Sequence, residues 1–338
     1  MRALVIERPF KASIRDTKDP EPRRGEVVIQ VKASGICGTD LHIYRGEEPR
    51  ARYPLIPGHE ISGVVVEVGE GVSGVSEGDV VAVDPNIYCG ECYYCRRGLV
   101  HFCLNWEGVG VTRPGGLAEK VAVPARNVYR IPGDVSPELA ALAEPLSCVL
   151  HGVDVVEPYD TSSVAIFGAG PIGLMFLVLL RKLTSARIAV FEISRVRSEK
   201  AEELGADLVA NPLEREVGDT AKELGSERGF DVIIDATGSI DALSRILRLD
   251  IVAPAGKILL FGVAPPGKKI ELEPYLIYRK EIRIMGSYVN PFTMWRAVNM
   301  LRSVRELEKI INKVSLEEAL EIIRGESKRE YVKPVVVF

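Results

Sequence analysis

The chain has 338 residues, more than a single hydrophobic core usually accommodates, so two domains are expected. Its 46% hydrophobic and 27% charged residues are those of a globular enzyme and speak against a disordered or membrane-spanning chain. With 43 basic against 47 acidic residues, a net charge of -4, it offers no basic field for nucleic acid or for an anionic membrane.

Residues 1–9 contain no apolar core long enough for a secretory signal, and the longest apolar run, residues 172–180, is about half of what a spanning helix needs. A cytoplasmic location is expected, where thiols stay reduced and clustered cysteines bind metal more often than they form disulfides. A single glutamine, Gln30, among many charged residues hints at a thermophilic source.

Up to about residue 150 the chain reads as short β-rich segments broken by Gly and Pro: residues 26–31 alternate, residues 63–69 read as a buried strand, and residues 79–83 follow a Gly-Asp turn. Such spacing argues for a barrel-like all-β unit. Between these strands stand Cys37-Gly38-Thr39-Asp40-Leu41-His42 and Pro57-Gly58-His59-Glu60. A thiolate and an imidazole from separate loops, joined by a carboxylate, suit a zinc site with room for water or substrate. Taken singly, Cys37 reads as core filler, His59 as a hydrogen-bonded loop histidine and Glu60 as a surface acid.

Next comes Cys-Gly-Glu-Cys-Tyr-Tyr-Cys, with Cys89, Cys92 and Cys95, followed by Cys103. Four thiolates at this spacing close around one tetrahedral zinc and leave no open position, so this metal braces a loop and performs no chemistry. A nucleic-acid-binding zinc ribbon would want a basic surface, which is missing. Residues 137–151 then turn helical. Within them Glu144 precedes Pro145 in an apolar segment, where burial is costly without a partner such as a metal ion, and Cys148 reads as a buried thiol.

From residue 163 strands and helices alternate, which calls for a parallel sheet covered on both faces. The first strand leads into Gly168-Ala169-Gly170-Pro171-Ile172-Gly173 and a helix. In this context Gly168 permits the sharp turn, Gly170 lets the backbone approach a pyrophosphate, Gly173 allows close packing of helix on strand, and the helix N-terminus faces the anion. The second strand ends in Glu192, placed to accept hydrogen bonds from the adenosine ribose and to repel a 2′-phosphate, which favours NAD over NADP. Arg195 and Arg197 are the possible phosphate holders; their plain reading is a solvated helix start. After residue 290 come two amphipathic helical stretches, residues 292–302 and 316–324, and a last strand, residues 332–338.

In their order and approximate separations, Cys-Gly-Thr-Asp-x-His, Gly-His-Glu, the four-cysteine lobe and Gly-x-Gly-x-x-Gly make the chain resemble, end to end, the medium-chain zinc-dependent alcohol dehydrogenase family, in its sorbitol (polyol) and threonine dehydrogenase branch. The resemblance implies an α/β protein: a β-rich, chaperonin-10-like catalytic domain from residues 1–148 and 289–338, and a Rossmann domain with a doubly wound parallel sheet from residues 149–288. It implies two zinc ions per chain. The catalytic one is held by Cys37 and His59 with Glu60 and Glu144, and the structural one by Cys89, Cys92, Cys95 and Cys103. Gly168, Gly170, Pro171, Ile172, Gly173, Glu192 and Arg197 would bind NAD. Asp40 would orient the zinc-binding histidine. Thr39 would take the substrate proton and pass it by way of the cofactor ribose to His42, while hydride goes to nicotinamide.

The expected activity is oxidation of a secondary alcohol, foremost a sugar alcohol, with L-threonine or 2,3-butanediol as alternatives; Tyr44, Arg45 and Glu119 are candidate partners for polyol hydroxyls. A zinc-free quinone-reductase-like relative and a non-catalytic zinc or nucleotide-binding module are the competing readings, and both leave Cys37, His59 and Glu144 unexplained. A homotetramer or homodimer paired through the nucleotide-binding domains is implied, with Ile282-Arg283-Ile284-Met285 as a candidate edge.

Overall fold

The computed structural model describes residues 1–158, 162–248 and 250–338. The chain forms two compact units, one from residues 1–147 and 290–338 and the other from residues 148–289.

In the first unit the long strand Glu26–Gly35 is the organising element. It pairs antiparallel with Glu60–Val68, Lys120–Pro124 and Lys333–Val337, and Ile311–Val314, Val80–Val83 and Val128–Arg130 extend the sheet outward. Alternate residues of a strand face one side, so Val27, Ile29 and Val31 pack in one core with Ile61, Val65, Val81, Val121 and Val123. A second core joins Leu4, Ile6, Ile36, Ile43, Leu55 and Leu117 to Leu316, Ala319 and Ile323 of the helix Leu316–Arg324. The second core includes Ile36, the residue before Cys37.

In the second unit six parallel strands are described, in the order Leu208–Ala210, Arg187–Phe191, Ser163–Phe167, Phe230–Asp235, Val252–Leu260 and Arg283–Gly286. The order reverses at the first strand, the doubly wound arrangement in which ligands bind outside the carboxyl ends of the strands. Ser163–Phe167 is buried at every position, as a central parallel strand covered on both faces must be. Phe167 and Phe191 stack with centroids 4.7 Å apart, and Phe230 meets Phe191 edge-on at 6.0 Å. The helix Pro171–Leu183 buries every residue from Gly173 to Leu180, which anchors its N-terminal turn. The expected edge segment forms the strand Arg283–Gly286 and lies at the border of this sheet. Among the described residues no helix is long and apolar enough to cross a membrane.

Two local readings change. The helical stretch expected at residues 292–302 is α-helical only over Met294–Met300, and the chain continues as the 3-10 turns Leu301–Ile310 with a non-helical backbone at Val304. Cys148 is half-buried and not sealed in the core.

Candidate functional site

The strand Glu26–Gly35 ends two residues before Cys37, which caps the helix Gly38–Arg45 from an extended conformation. Asp40, in the first turn and fully buried, reaches back: its carboxylate accepts from the Cys37 N–H at 2.9 Å and from the Gly58 N–H at 3.0 Å. One side chain thereby fixes both loops that carry the sulfur and the imidazole. His59 Nδ1 lies 3.6 Å from Asp40 Oδ1. Burial alone would raise the Asp40 pKa, but His59 and the two N–H donors outweigh it and hold the carboxyl below its ordinary value.

Glu60 opens its strand directly opposite Gly35. A Cβ at Gly35 would lie 1.8 Å from Glu60 Oε2, so the missing side chain is what leaves room for the carboxylate. Donor atoms of Cys37, His59 and Glu60 all lie within 4.8 Å of one another. Glu144, in the first turn of the helix Ala143–Val156, is not part of that close set, although it is buried and its ionisation responds to the charges of His59 and Glu60. Burial pushes Glu144 up to about 7.

Sequence reasoning missed Lys333. Its ammonium sits 2.6 and 2.5 Å from the two oxygens of Glu60 and donates to the Ile36 carbonyl at 3.0 Å. Burial would lower both basic groups here; Asp40 and Cys37 nevertheless raise His59, and Glu60 and Cys37 raise Lys333. The anionic groups that raise these bases, Asp40, Cys37 and Glu60, equally attract a cation, and the sulfur, nitrogen and oxygen donors of Cys37, His59 and Glu60 are of the kinds zinc accepts. The donor set fits such an ion. A lone Lys in the apolar run Lys333-Pro334-Val335-Val336-Val337 was the one available signal; nothing marked Gly35.

Thr39 and His42 lie three residues apart on the helix Gly38–Arg45, hence on one face. Thr39 Oγ1 is 3.8 Å from Cys37 Sγ, and His42 Nδ1 is 2.6 Å from Glu47 Oε2 at a solvent-exposed edge.

Cys89, Cys92, Cys95 and Cys103 form a second group within 4.8 Å. Backbone N–H groups turn toward the sulfurs: Cys89 N donates to Cys103 Sγ at 3.3 Å and Cys92 N to Cys89 Sγ at 3.4 Å. The N–H groups of Cys95 and Leu104 pull Cys92 down to about 6, while burial pushes Cys95 up to about 12. Four thiolates this close would repel one another, and a divalent cation removes the conflict. The set fits a closed tetrahedral metal.

At the nucleotide turn, Gly168 has φ +94°, a region open to glycine, and a Cβ on Gly173 would lie 1.9 Å from the Gly168 carbonyl oxygen. Gly170 differs: a Cβ there meets no protein atom within 4 Å, so packing within the chain does not require a glycine at this position. Pro171 occupies the first helical position, where its missing N–H costs nothing, and Ile172 follows. Buried Glu192 accepts from the N–H groups of Ala169 at 2.7 Å, Ile193 at 2.9 Å and Ser194 at 2.8 Å, tying the glycine turn to the end of the second strand. Arg197 lies in the first turn of the helix Arg195–Glu203, its N–H donating to Ser194 Oγ at 3.4 Å. The turn fits a dinucleotide pyrophosphate.

Two of the polyol candidates have hydrogen-bond partners within the chain. Tyr44 Oη donates to the Phe10 carbonyl at 3.3 Å, Glu119 Oε2 accepts from the Arg2 N–H at 2.8 Å, and Arg45 is exposed.

Residues 23–133 match the alcohol dehydrogenase GroES-like domain and residues 171–303 the zinc-binding dehydrogenase domain. An L-threonine 3-dehydrogenase of Pyrococcus abyssi is 40% identical over 285 residues, covering 82% of this chain and 80% of that protein. A zinc-binding dehydrogenase of Sinorhizobium meliloti bound to NADP superposes with a TM-score of 0.94 at 34% identity, covering 100% of this chain and 99% of that one. An alcohol dehydrogenase of Escherichia coli CFT073 complexed with NADH gives 0.90 at 32% identity, with 100% and 99% covered. Sequence kinship over most of the chain and a shared fold over all of it place the protein in the medium-chain zinc-dependent alcohol dehydrogenase family.

Proposed function

We propose that the protein oxidises a secondary alcohol with NAD, and that the substrate carries a second polar group beside the carbinol carbon, as L-threonine, 2,3-butanediol and sugar alcohols all do. The observation that carries this reading is the buried cluster of Cys37, His59 and Glu60, fixed by Asp40 and balanced by Lys333. L-threonine is the first substrate to test, because the Pyrococcus abyssi relative bears that activity in its name. Sugar alcohols come second, since Tyr44 and Glu119 have other partners.

In this reading Cys37 and His59 hold the catalytic zinc, Glu60 and Glu144 supply the carboxylate, and Cys89, Cys92, Cys95 and Cys103 hold the structural one. When bound, zinc lowers the pKa of the substrate hydroxyl and the dinucleotide takes up hydride. Thr39 Oγ1 would take the hydroxyl proton while giving up its own by way of the cofactor ribose to His42, which, paired with Glu47 at the solvent edge, would release it to water. Asp40 orients His59. Gly168, Gly170, Pro171, Ile172 and Gly173 receive the pyrophosphate, Glu192 faces the adenosine ribose, and Arg197 stands by the same end. The oxygens of Glu192 disfavour a 2′-phosphate, which supports NAD over NADP. The edge strand Arg283–Gly286 is the proposed seam of a cytoplasmic homodimer or homotetramer.

Metal analysis and a panel of L-threonine, 2,3-butanediol and polyols, each with NAD and NADP, test this. About two zinc per chain and NAD reduction by at least one of these substrates are expected, with activity lost in Cys37→Ser and His59→Ala. Full activity and zinc content in both variants would sink the assignment.

A further inference from the structure

The chain passes between its two units at residues 147–148 and 289–290. The residues on the catalytic side of these crossings, Ser147 and Asn290, are buried and bonded to each other: Asn290 Nδ2 donates to Ser147 Oγ at 2.8 Å. Thr293 Oγ1 adds a bond to the Ser147 carbonyl at 2.7 Å. The backbone is strained on both sides of Asn290, since Val289 has φ +50° and Phe292 φ +59°. A β-branched residue in the left-handed region is a rare outlier, and such strain persists only where the surroundings over-determine it.

The direction of this network is fixed. An indole only donates, so Trp106 Nε1, 2.9 Å from Asn86 Oδ1, turns the Asn86 amide and leaves its Nδ2 to donate to Asn290 Oδ1 at 2.6 Å. Asn290 Nδ2 must then point to acceptors, and it meets Ser147 Oγ and, at 3.4 Å, Asp84 Oδ1. The Ser147 hydroxyl passes its own proton on to the Glu144 carbonyl at 2.6 Å. Trp106 packs against the cluster of Cys95, Val100 and Cys103. One series of bonds thus runs from the four-cysteine lobe to the backbone of Glu144.

We infer that Asn290 is a positioning residue for Glu144: by clamping Ser147 it fixes the first turn of the helix Ala143–Val156 and aims the Glu144 carboxylate at the Cys37–His59–Glu60 set, with Trp106 carrying the lobe's position into the same clamp. This rests on the reading that a metal binds that set. Glu144 lies three residues before Ser147 on the same helix, so a rotation of this turn moves its carboxylate by more than the tolerance of a metal ligand.

The test uses full-length protein and Asn290→Ala, Ser147→Ala, Trp106→Phe and Glu144→Gln. It reads zinc affinity of the Cys37–His59–Glu60 site by competition with a chromogenic chelator, and the visible spectrum of the protein with cobalt(II) at that site. The expected result is about tenfold weaker binding in Asn290→Ala and Ser147→Ala, a smaller loss in Trp106→Phe, and a cobalt spectrum displaced in the direction seen for Glu144→Gln. Should Asn290→Ala fail to fold, Ser147→Ala decides alone, since it removes a single hydroxyl. If Glu144→Gln changes affinity and spectrum while Asn290→Ala and Ser147→Ala stay within twofold of the parent, the positioning role is wrong. If Glu144→Gln itself changes neither, Glu144 does not serve the metal site and the inference falls with that premise.

Discussion

Lys333 and Glu60 form a fully buried ion pair, with N–O distances of 2.6 and 2.5 Å and side chains 2% and 1% exposed. Removing one member of such a pair leaves an uncompensated charge in low dielectric, which costs about 3–5 kcal/mol. Lys333→Met is therefore expected to lower the urea midpoint of the metal-free protein strongly, where no ion compensates Glu60, and Lys333→Arg to recover much of it. An unchanged midpoint in Lys333→Met would show that the pair contributes nothing to stability.

Gly35 acts on the same carboxylate by absence. An alanine methyl would fall 1.8 Å from Glu60 Oε2, so Gly35→Ala must turn the Glu60 side chain away from its present position. The backbone there is an ordinary strand, so the fold survives. Zinc affinity is expected to drop about tenfold with the circular dichroism spectrum preserved, in line with the cost of disturbing groups that support a metal. Parent-like affinity would mean that Glu60 has no part in holding the ion.

The glycine turn separates two roles that one motif conflates. Gly173→Ala pushes a methyl to 1.9 Å from the Gly168 carbonyl and should unfold the turn, lowering the melting temperature with or without dinucleotide. Gly170→Ala meets no protein atom, so stability should be retained while NAD affinity falls at least tenfold. Calorimetric titration of both variants checks this; unaltered NAD binding in Gly170→Ala would remove the pyrophosphate from that position.

Much of this was legible in the sequence because it is local. The strand at Arg187–Phe191, the helix Pro171–Leu183 and the four-cysteine spacing each follow from periodicity or from ligand geometry within about twenty residues. What escaped notice depends on pairing across the chain. Lys333 reaches Glu60 over 273 positions, and Asn290 reaches Ser147 over 143. Their identities carry no motif, and only the strand register that puts Gly35 beside Glu60 reveals why a glycine stands there. The partners of two polyol candidates are hidden for a related reason: Tyr44 donates to the Phe10 carbonyl and Glu119 accepts from the Arg2 N–H, pairings over 34 and 117 positions.

Asp84 offers a pH test outside the proposed metal ligands. Burial raises its carboxyl from 3.8 to about 6, against three donors that pull it down: the Asn86 N–H at 3.0 Å, Asn86 Nδ2 at 3.3 Å and Asn290 Nδ2 at 3.4 Å. The folded protein keeps this proton over a range in which the unfolded chain has lost it. Below about pH 3.8 the group is protonated in both states and makes no difference. Between there and pH 6 stability falls as pH rises, and above pH 6 the buried carboxylate exerts its full cost, on the order of 3 kcal/mol. Asn at this position does not titrate, and its Oδ1 can accept the same bonds. The stability of Asp84→Asn relative to the parent should therefore grow from pH 4 to pH 7 and then level off, as read from urea midpoints at each pH. A difference that stays flat over this range would mean that Asp84 is not held protonated by its surroundings.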